Sequence, residues 1–394
     1  MERRTFLRTL GLAALALRSG RVLAATAPAT DHRLLVVFLR GGYDCANVLV
    51  PWSSAFYYEA RPNIAVRRPD PHDPQAALTL DAEWALHPAL KDAILPFWER
   101  GQLAFVPFFG THDLSRSHFE TQDAIERGEP PDHAASDGAS GFMNRLAAAL
   151  GGAEPIAFTE GLPLVMTGPV TVPNVSLRQS GKPAFDDRQM AILADMYQGS
   201  PLQPRVVEGL QLRRDAQAVF DREQGAAGRD AVSAKGFELE ARRMAAMMRD
   251  RFNLAFVDVG GWDTHVNEPA GLATGLENLG KGLAAFAGAL GPAWSRTTVV
   301  VLSEFGRTLR ENGTRGTDHG HGGVAWVLGG AVRGKRVAGE QVAVERSRLF
   351  QDRDFPVLNE YRAVLGGLLA RRYGLGREKL DVVFPGARPV DLDL

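Results

Sequence analysis

Carboxylate and imidazole side chains, which bind divalent metals, come together twice in the last third of this 394-residue sequence. Asp263 and His265 are separated by one residue after a Gly-Gly-Trp segment, and His319 and His321 are separated by one residue between glycines. A single loop histidine is more often structural, and two imidazoles at this spacing can point to opposite sides. The combined pattern predicts a site for a divalent metal, which is zinc, manganese or calcium.

Two other polar positions follow apolar runs. Asp44 comes after a Gly-Gly pair, where the backbone can turn sharply and approach a ligand. Asp is also an ordinary turn residue, so a structural role is the alternative. Arg307 follows a Val-rich run and is suited either to a bidentate contact with phosphate or sulfate or to a salt bridge.

Ser117 lies in the segment Arg-Ser-His-Phe, where an apolar run gives way to a helical pattern. Free backbone N–H groups and the helix dipole at such a position bind anions and stabilise an oxyanion. The alternative is that Ser117 only caps its helix. The two roles do not exclude each other.

The apolar runs before these segments are typical of buried parallel strands, because they are short, rich in Val and closed by Gly. Helical patterns alternate with them, so we predict an α/β fold with a mostly parallel sheet sandwiched by helices. Ligands bind beyond the carboxyl ends of such strands, which places the polar segments at one sheet edge. Predicted strands are 34–39, 103–109, 254–259, 298–302 and 324–328, and predicted helices are 88–100, 117–127, 272–290 and 359–373, with further helix within 202–251.

Composition allows one large core, with 45% hydrophobic and 23% charged residues. We predict a single domain over 28–394, with a loop-rich insertion at about 128–200, where Pro and Gly interrupt short apolar pieces.

The formal net charge of −1 gives no global field that recruits nucleic acid or an anionic membrane. Cys45 is the only cysteine, so an intramolecular disulfide is impossible.

The N-terminus resembles a bacterial twin-arginine export signal. Paired arginines precede Phe-Leu, a short apolar stretch and a run of small residues. We predict a signal peptide over 1–27, cleaved near Ala24–Ala27, with the twin-arginine translocase as export partner and a periplasmic or otherwise exported product. The apolar stretch is too short for a stable membrane span. A basic amphipathic helix on a cytosolic protein is the alternative interpretation.

Six short motifs run in order along nearly the whole mature chain: L-R-G-G-Y-D at 39–44, L-H-P-A-L at 86–90, R-S-H-F at 116–119, G-G-W-D-T-H at 260–265, S-E-F-G-R-T at 303–308 and G-T-D-H-G at 316–320. Together they resemble the twin-arginine-exported bacterial family called domain of unknown function 1501. That family resembles a remote branch of the alkaline phosphatase and sulfatase superfamily. The resemblance implies an alkaline phosphatase-like fold, with one or two metals at the strand ends.

Carried over position by position, the resemblance implies that Ser117 is the nucleophile at a helix N-terminus. It also implies an aspartate from the first strand, an aspartate–histidine pair, the counterpart of the superfamily's S-D-H-G segment and a last histidine as metal ligands. The implied ligands are Asp44, Asp263, His265, Glu304 and one or both of His319 and His321.

The chain departs from the superfamily pattern in three places. Glu304-Phe305 replaces Asp-His, which removes one imidazole and puts a two-zinc site in doubt. Asp263 and His265 are closer together than the usual pair, and Cys45 lacks the C-x-P-x-R context of a formylglycine sulfatase.

These patterns lead to two functional hypotheses. The first is an exported metal-dependent hydrolase of small phosphate or sulfate esters, in which Ser117 attacks and Arg307 neutralises the developing charge. The second is a non-catalytic periplasmic binding or assembly protein on a degenerate hydrolase fold. The missing S-D-H-G histidine favours the second hypothesis.

Overall fold

The computed structural model describes residues 31–130, 140–177, 187–211, 214 and 236–394. The predicted export signal at 1–27 lies outside the described residues, as do parts of the 128–200 and 202–251 segments.

The described chain alternates strands and helices. Its strands are β1 (Arg33–Leu39), β2 (Leu49–Val50), β3 (Leu78–Thr79), β4 (Ala85–Leu86), β5 (Leu103–Gly110), β6 (Pro155–Ala157), β7 (Leu254–Val259), β8 (Thr297–Ser303), β9 (Gly323–Gly329), β10 (Arg336–Val337) and β11 (Asn359–Glu360). The named helices are α1 (Ala55–Ala60), α2 (Leu95–Glu99), α3 (His118–Arg127), α4 (Phe142–Leu150), α5 (Asp187–Met196), α6 (Phe237–Asp250), α7 (Glu268–Leu290), α8 (Tyr361–Tyr373) and α9 (Arg377–Val383).

The main sheet has the strand order β10-β5-β9-β8-β1-β7-β6, and β11 also pairs with β5. Pairing is parallel throughout except where β9 runs antiparallel to β5 and to β8. The prediction of a mostly parallel α/β sheet is therefore confirmed. A separate small sheet has the order β2-β4-β3.

The central strand β1 begins at the partly buried Arg33 and is apolar from Leu34 to Leu39, because both faces of the sheet are covered there. Leu35 and Val37 belong to a core shared with α6 and α7, whereas Val36 and Phe38 belong to a core shared with α4, α8 and α9. This alternation follows from the two-residue period of a strand. Because each face meets a core, the segment Leu34–Leu39 contains no polar residue, as is usual for buried parallel strands.

One edge of the sheet collects the polar segments. Strands β1, β5, β7 and β8 all end there, and β9 begins there because it runs the opposite way. The loops that follow four strands and the loop that precedes a fifth therefore meet. This is the edge at which open α/β sheets bind ligands.

Two segments differ in detail from the sequence prediction. The helix predicted over 88–100 is instead a 3₁₀ turn at Pro88–Leu90 followed by the short α2. Pro96 stands in the first turn of α2, where its missing N–H costs nothing, and it would have broken a continuous helix. Within the predicted 128–200 insertion, α4 packs in the core and β6 forms a sheet edge by pairing with β7.

Among the described residues, no helix combines the length and the apolarity that crossing a bilayer requires.

Candidate metal centre

Three side chains from separate parts of the chain bring metal-binding atoms to this edge of the sheet. His118 is the first residue of α3, Asp263 lies in the loop after β7, and His319 lies in the loop before β9. One ligand atom from each lies within 4.8 Å of the other two. Two imidazoles and one carboxylate are a ligand set that zinc and related transition metals use.

The ring of His118 is fixed by Glu304, which leaves one nitrogen without a partner. Its Nδ1 lies 2.7 Å from Glu304 Oε1, and because a carboxylate only accepts, Nδ1 donates. Its Nε2 lies 3.6 Å from Asp263 Oδ2 and, among the described residues, is buried without a hydrogen-bond partner. A histidine that donates from one nitrogen to a carboxylate and offers the other is typical of metal ligands.

His319 is oriented in the same way by a backbone carbonyl. Its Nδ1 donates to the carbonyl oxygen of Arg116 over 3.0 Å, and its Nε2 lies 3.3 Å from Asp263 Oδ1. Burial, together with the positive charge of Arg307, lowers the pKa of His319 below its ordinary value. The neutral ring then keeps a lone pair on Nε2.

His265 completes the group of imidazoles. Its Nε2 lies 3.0 Å from Asp263 Oδ1 and 3.1 Å from His319 Nε2, while its Nδ1 lies 3.3 Å from Asp318 Oδ1. Two ligand atoms of one tetrahedral zinc stand about 3.3 Å apart, given zinc–nitrogen distances of about 2.0–2.1 Å. The donor atoms here therefore have the spacing and the lone pairs that fit a single divalent ion.

Asp263 is held by the buried guanidinium of Arg307, which donates to Asp263 Oδ1. Partial burial alone would raise the pKa of the Asp263 carboxyl, but the hydrogen bond and charge of Arg307, with further contributions from His265 and His319, lower it. The carboxylate is consequently ionised at neutral pH and keeps Oδ2 on the side of His118.

Arg307 itself has no exposed surface. Besides Asp263, it donates to the carbonyl oxygens of Gly41, Gly42 and Thr317, and one of its nitrogens is 3.4 Å from His265 Nε2. The structure thus places the predicted charge-neutralising arginine behind the metal-binding atoms, where it ties three loops together.

Gly41 makes this approach of loops possible. Its φ of +123° is a conformation that L side chains rarely adopt, and a Cβ there would lie 2.6 Å from the backbone nitrogen of Asp263. The glycine pair that follows β1 therefore serves the contact with the loop after β7.

Glu304 lies behind His118 and uses both of its oxygens within the protein. Oε1 accepts from Gly41 N, Gln122 Nε2 and His118 Nδ1, and Oε2 accepts from Ser303 Oγ over 2.7 Å. Burial opposes ionisation, but these hydrogen bonds lower the pKa of Glu304. Glu304, which the family resemblance implies as a metal ligand, therefore lies where it orients the candidate ligand His118.

Asp44 lies in a different buried group. Both of its oxygens accept from Arg61, over 2.9 Å at Oδ1, and neither side chain is exposed. Glu268 joins them through a hydrogen bond to Asp44. Burial, and then the negative charge of Asp44, raises the pKa of Glu268 to about 9, so Glu268 carries the shared proton. The structure does not bring Asp44 together with the imidazoles.

His321 and Ser117 take distinct positions. His321 is buried against the ring of Phe350, 4.8 Å between centroids, and burial lowers its pKa to about 4. Of the two neighbouring histidines, His319 is the one that faces the cluster. Ser117 is the half-buried N-cap residue of α3, and its side chain makes no capping hydrogen bond. It stands between Arg116 and His118, both of which take part in the site.

Sequence reasoning missed His118 as a candidate ligand. His118 lies in the R-S-H-F motif, directly after Ser117, the predicted nucleophile. The feature that could have indicated His118 as a ligand is its position in the first turn of a helix that begins at the carboxyl ends of the strands. The partners Arg61 and Glu268 carried no signal, because they are distant from Asp44 in sequence and lie in no motif.

The family assignment rests on a profile match. The profile described as "Protein of unknown function (DUF1501)" matches residues 31–384 of the 394-residue chain. The chain belongs to the DUF1501 family. The predicted family resemblance is confirmed. No curated protein matches this member of DUF1501.

Solved structures similar to this DUF1501 protein include three with related descriptions. The 2-O GAG sulfatase BT1596 is 11% identical, with a TM-score of 0.42, over 88% of this chain and 72% of that one. A putative sulfatase from Bacteroides thetaiotaomicron is 10% identical, with a TM-score of 0.41, over 91% and 75%. An alkaline phosphatase superfamily protein from Vibrio parahaemolyticus is 10% identical, with a TM-score of 0.37, over 84% and 69%. At these TM-scores, the similarities assign neither an activity nor a ligand.

Proposed function

We propose that this DUF1501 protein is an exported hydrolase that uses one divalent metal to cleave small phosphate or sulfate esters. The observation that carries the proposal is the buried Nε2 of His118, which lacks a partner among the described residues and is 3.6 Å from Asp263 Oδ2. A buried polar atom without a partner is costly, and a bound cation removes that cost.

The residues that would hold the ion are His118, Asp263 and His319, with His265 within reach of the same position. Zinc or manganese fits this mixture of nitrogen and oxygen donors better than calcium, which prefers oxygen alone. When bound, the metal supplies a Lewis acid that polarises the ester and lowers the pKa of a hydroxyl nucleophile or water.

The chain's own groups prepare the site for an anionic ester. Glu304, Asp318 and the Arg116 carbonyl each accept from an Nδ1, which turns the opposite nitrogen of each ring towards Asp263. The N-terminus of the ten-residue α3, where Ser117 is the N-cap, attracts negative charge. Ser117 is the proposed nucleophile, since its hydroxyl is not used in capping.

The test is hydrolysis of an aryl phosphate and an aryl sulfate by purified protein loaded with Zn²⁺ or Mn²⁺. We expect turnover of at least one probe, abolished by a chelator and by His118→Ala. The matched control is His72→Ala, because His72 is an exposed histidine outside the site. Activity that survives complete removal of metal would contradict the proposal.

The non-catalytic alternative is favoured by one observation, the complete burial of Arg307, which presents no cation to a substrate. Ser117→Ala separates the two functions. A hydrolase that uses Ser117 loses turnover while metal binding stays intact. A metal-loaded protein that turns over neither probe, before or after the substitution, supports a binding role instead.

A further inference from the structure

Arg116 is held in an unusual backbone conformation next to the metal-binding atoms. Its φ is +52°, in the left-handed region that side chains with a Cβ disfavour. In this conformation its carbonyl oxygen accepts from His319 Nδ1 over 3.0 Å. A residue kept in a disfavoured conformation needs surrounding contacts that hold it there.

The contacts that hold Arg116 come from a loop far along the chain. Its guanidinium donates to Asp354 Oδ2 from Nε over 3.2 Å and from Nη2 over 2.7 Å. Nη2 also donates to Gln351 Oε1 over 2.8 Å. The Asp354 side chain has no exposed surface, whereas that of Arg116 is 25% exposed.

Asp354 is itself anchored, so that it can act as a fixed point. Its backbone N–H and carbonyl both bond to Phe350, over 3.0 and 2.8 Å. A further backbone bridge joins it to Thr308, which lies in the segment after β8 that carries Arg307. The ion pair with Arg116 therefore connects two parts of the same sheet edge.

We infer that the Arg116–Asp354 ion pair is a positioning device that keeps the Arg116 carbonyl on His319 Nδ1 and so directs the Nε2 lone pair of His319 towards the ion. This inference deepens the proposed function and rests on its metal site. Arg116 and Asp354 are positioning residues, because neither supplies an atom to the metal-binding group. Outer partners of this kind change metal affinity by about 10- to 100-fold when they are lost.

The first experiment measures the tautomer of His319 in metal-free protein by ¹⁵N NMR of labelled histidines, with the signal assigned through His319→Asn. We expect the Nδ1–H form in the wild type. Arg116→Ala loses the guanidinium contacts but keeps the Cβ that disfavours the left-handed conformation, so His319 should shift to a mixture of tautomers. Arg116→Gly also loses the guanidinium but tolerates a positive φ, and we expect an intermediate mixture.

The second experiment measures Zn²⁺ affinity by competition with a chelating dye. We expect Arg116→Ala to weaken binding by about 10- to 100-fold and Arg116→Gly by less. Asp354→Asn keeps the shape of the buried partner while removing its charge, and it should weaken binding even where Arg116→Ala fails to fold. The control is Arg353→Ala, since Arg353 also reaches Asp354 Oδ2, over 3.3 Å, but is 39% exposed.

The two measurements separate the inference from the proposed function. An unchanged His319 tautomer in Arg116→Ala and Asp354→Asn overturns the inference, even if the protein binds zinc and hydrolyses esters. Shifted tautomers with zinc affinity weakened in these variants, and unchanged in Arg353→Ala, support it. A wild-type protein that binds no metal overturns the proposed function and the part of the inference that concerns the ion.

Discussion

Two groups of ionisable side chains have opposite characters. In the Asp44–Arg61–Glu268 group, the Asp44 and Arg61 side chains have no exposed surface, and Asp44 is hydrogen-bonded to both of the others. Arg61 also donates to the carbonyl oxygens of Leu309 and Thr308. In the group around Asp263, that side chain is 47% exposed, and a nitrogen of His118 lacks a partner among the described residues.

The difference shows what distinguishes a structural ion group from a candidate metal site. The closed group neutralises itself, because one guanidinium and one shared proton balance two carboxyl groups. The open group gathers the Asp263 carboxylate and three imidazoles, and the Nε2 atoms of His118, His265 and His319 all face that carboxylate. The first group is closed to an external cation, whereas the second group is the place where we propose that a cation binds.

The largest effect is expected from breaking the closed group with Asp44→Ala. The substitution leaves the buried Arg61 charge without its carboxylate, and such a loss costs about 3–5 kcal/mol. Chemical denaturation should show this decrease in the free energy of unfolding. Zinc affinity measured under conditions where the variant is folded should stay within about twofold of the wild type. A variant of full stability would contradict this prediction and would show that Glu268 replaces Asp44 as the carboxylate that balances Arg61.

The next largest effect is expected from His118→Ala, which removes one of the proposed metal ligands. Metal content measured by elemental mass spectrometry should fall from one equivalent of zinc to a trace, with affinity reduced by at least about 100-fold, the upper end of what an outer partner contributes. His321→Asn is the comparison, since His321 is a buried histidine that packs on Phe350. Equal metal loss in both variants would contradict the assignment of ligands.

A smaller effect concerns the shared proton of the closed group. Because the pKa of Glu268 is raised to about 9 in the folded protein, its contribution to stability is complete below the unfolded pKa of about 4.5 and is lost as the pH rises towards 9. Wild type should lose up to about 1.4 kcal/mol per pH unit relative to Glu268→Gln, which does not titrate. Unfolding free energies compared at pH 6, 7 and 8 test this. Parallel curves would show that Glu268 is ionised in the folded state.

The smallest effect is expected in the stability of Ser117→Ala. Removing an N-cap side chain ordinarily costs about 0.5–2 kcal/mol, but here the hydroxyl makes no capping bond, so we expect a loss below about 0.5 kcal/mol. The melting temperature of Ser117→Ala, compared with that of the wild type in a thermal shift assay, measures this loss of stability. A larger loss would show that the hydroxyl supports the fold.

Much of the fold was predictable, because its strands are Val-rich apolar runs that end at glycine or at polar segments. β5, β7, β8 and β9 each begin and end within one residue of the predicted runs. The sheet edge at which the loops after β1, β7 and β8 meet followed from the parallel order of these strands, whereas the antiparallel direction of β9 did not. The break at Pro96 was less visible, because apolar spacing alone does not separate a helix from two successive turns.

The membership of the site was only partly predictable. Sequence places Asp44, Glu304 and Asp263 after strands, but it does not tell which carboxylate is enclosed with Arg61, which orients His118 and which faces three imidazoles. Ser117 and His118 are neighbours, and only the direction of the first turn of α3 decides which side chain points at Asp263. Such choices depend on contacts between residues far apart in the chain.

The separation of these residues along the chain has a consequence for folding kinetics. Glu304 and His118, which are hydrogen-bonded to each other, are 186 residues apart in the chain. We therefore expect this pair to form only after the strands of the sheet have paired. Contacts between residues so far apart in the chain form slowly, because the conformational entropy of a long loop is lost before the contact contributes its stabilisation. Recovery of a zinc signal during refolding would therefore be a late event, and it would report completion of the whole sheet.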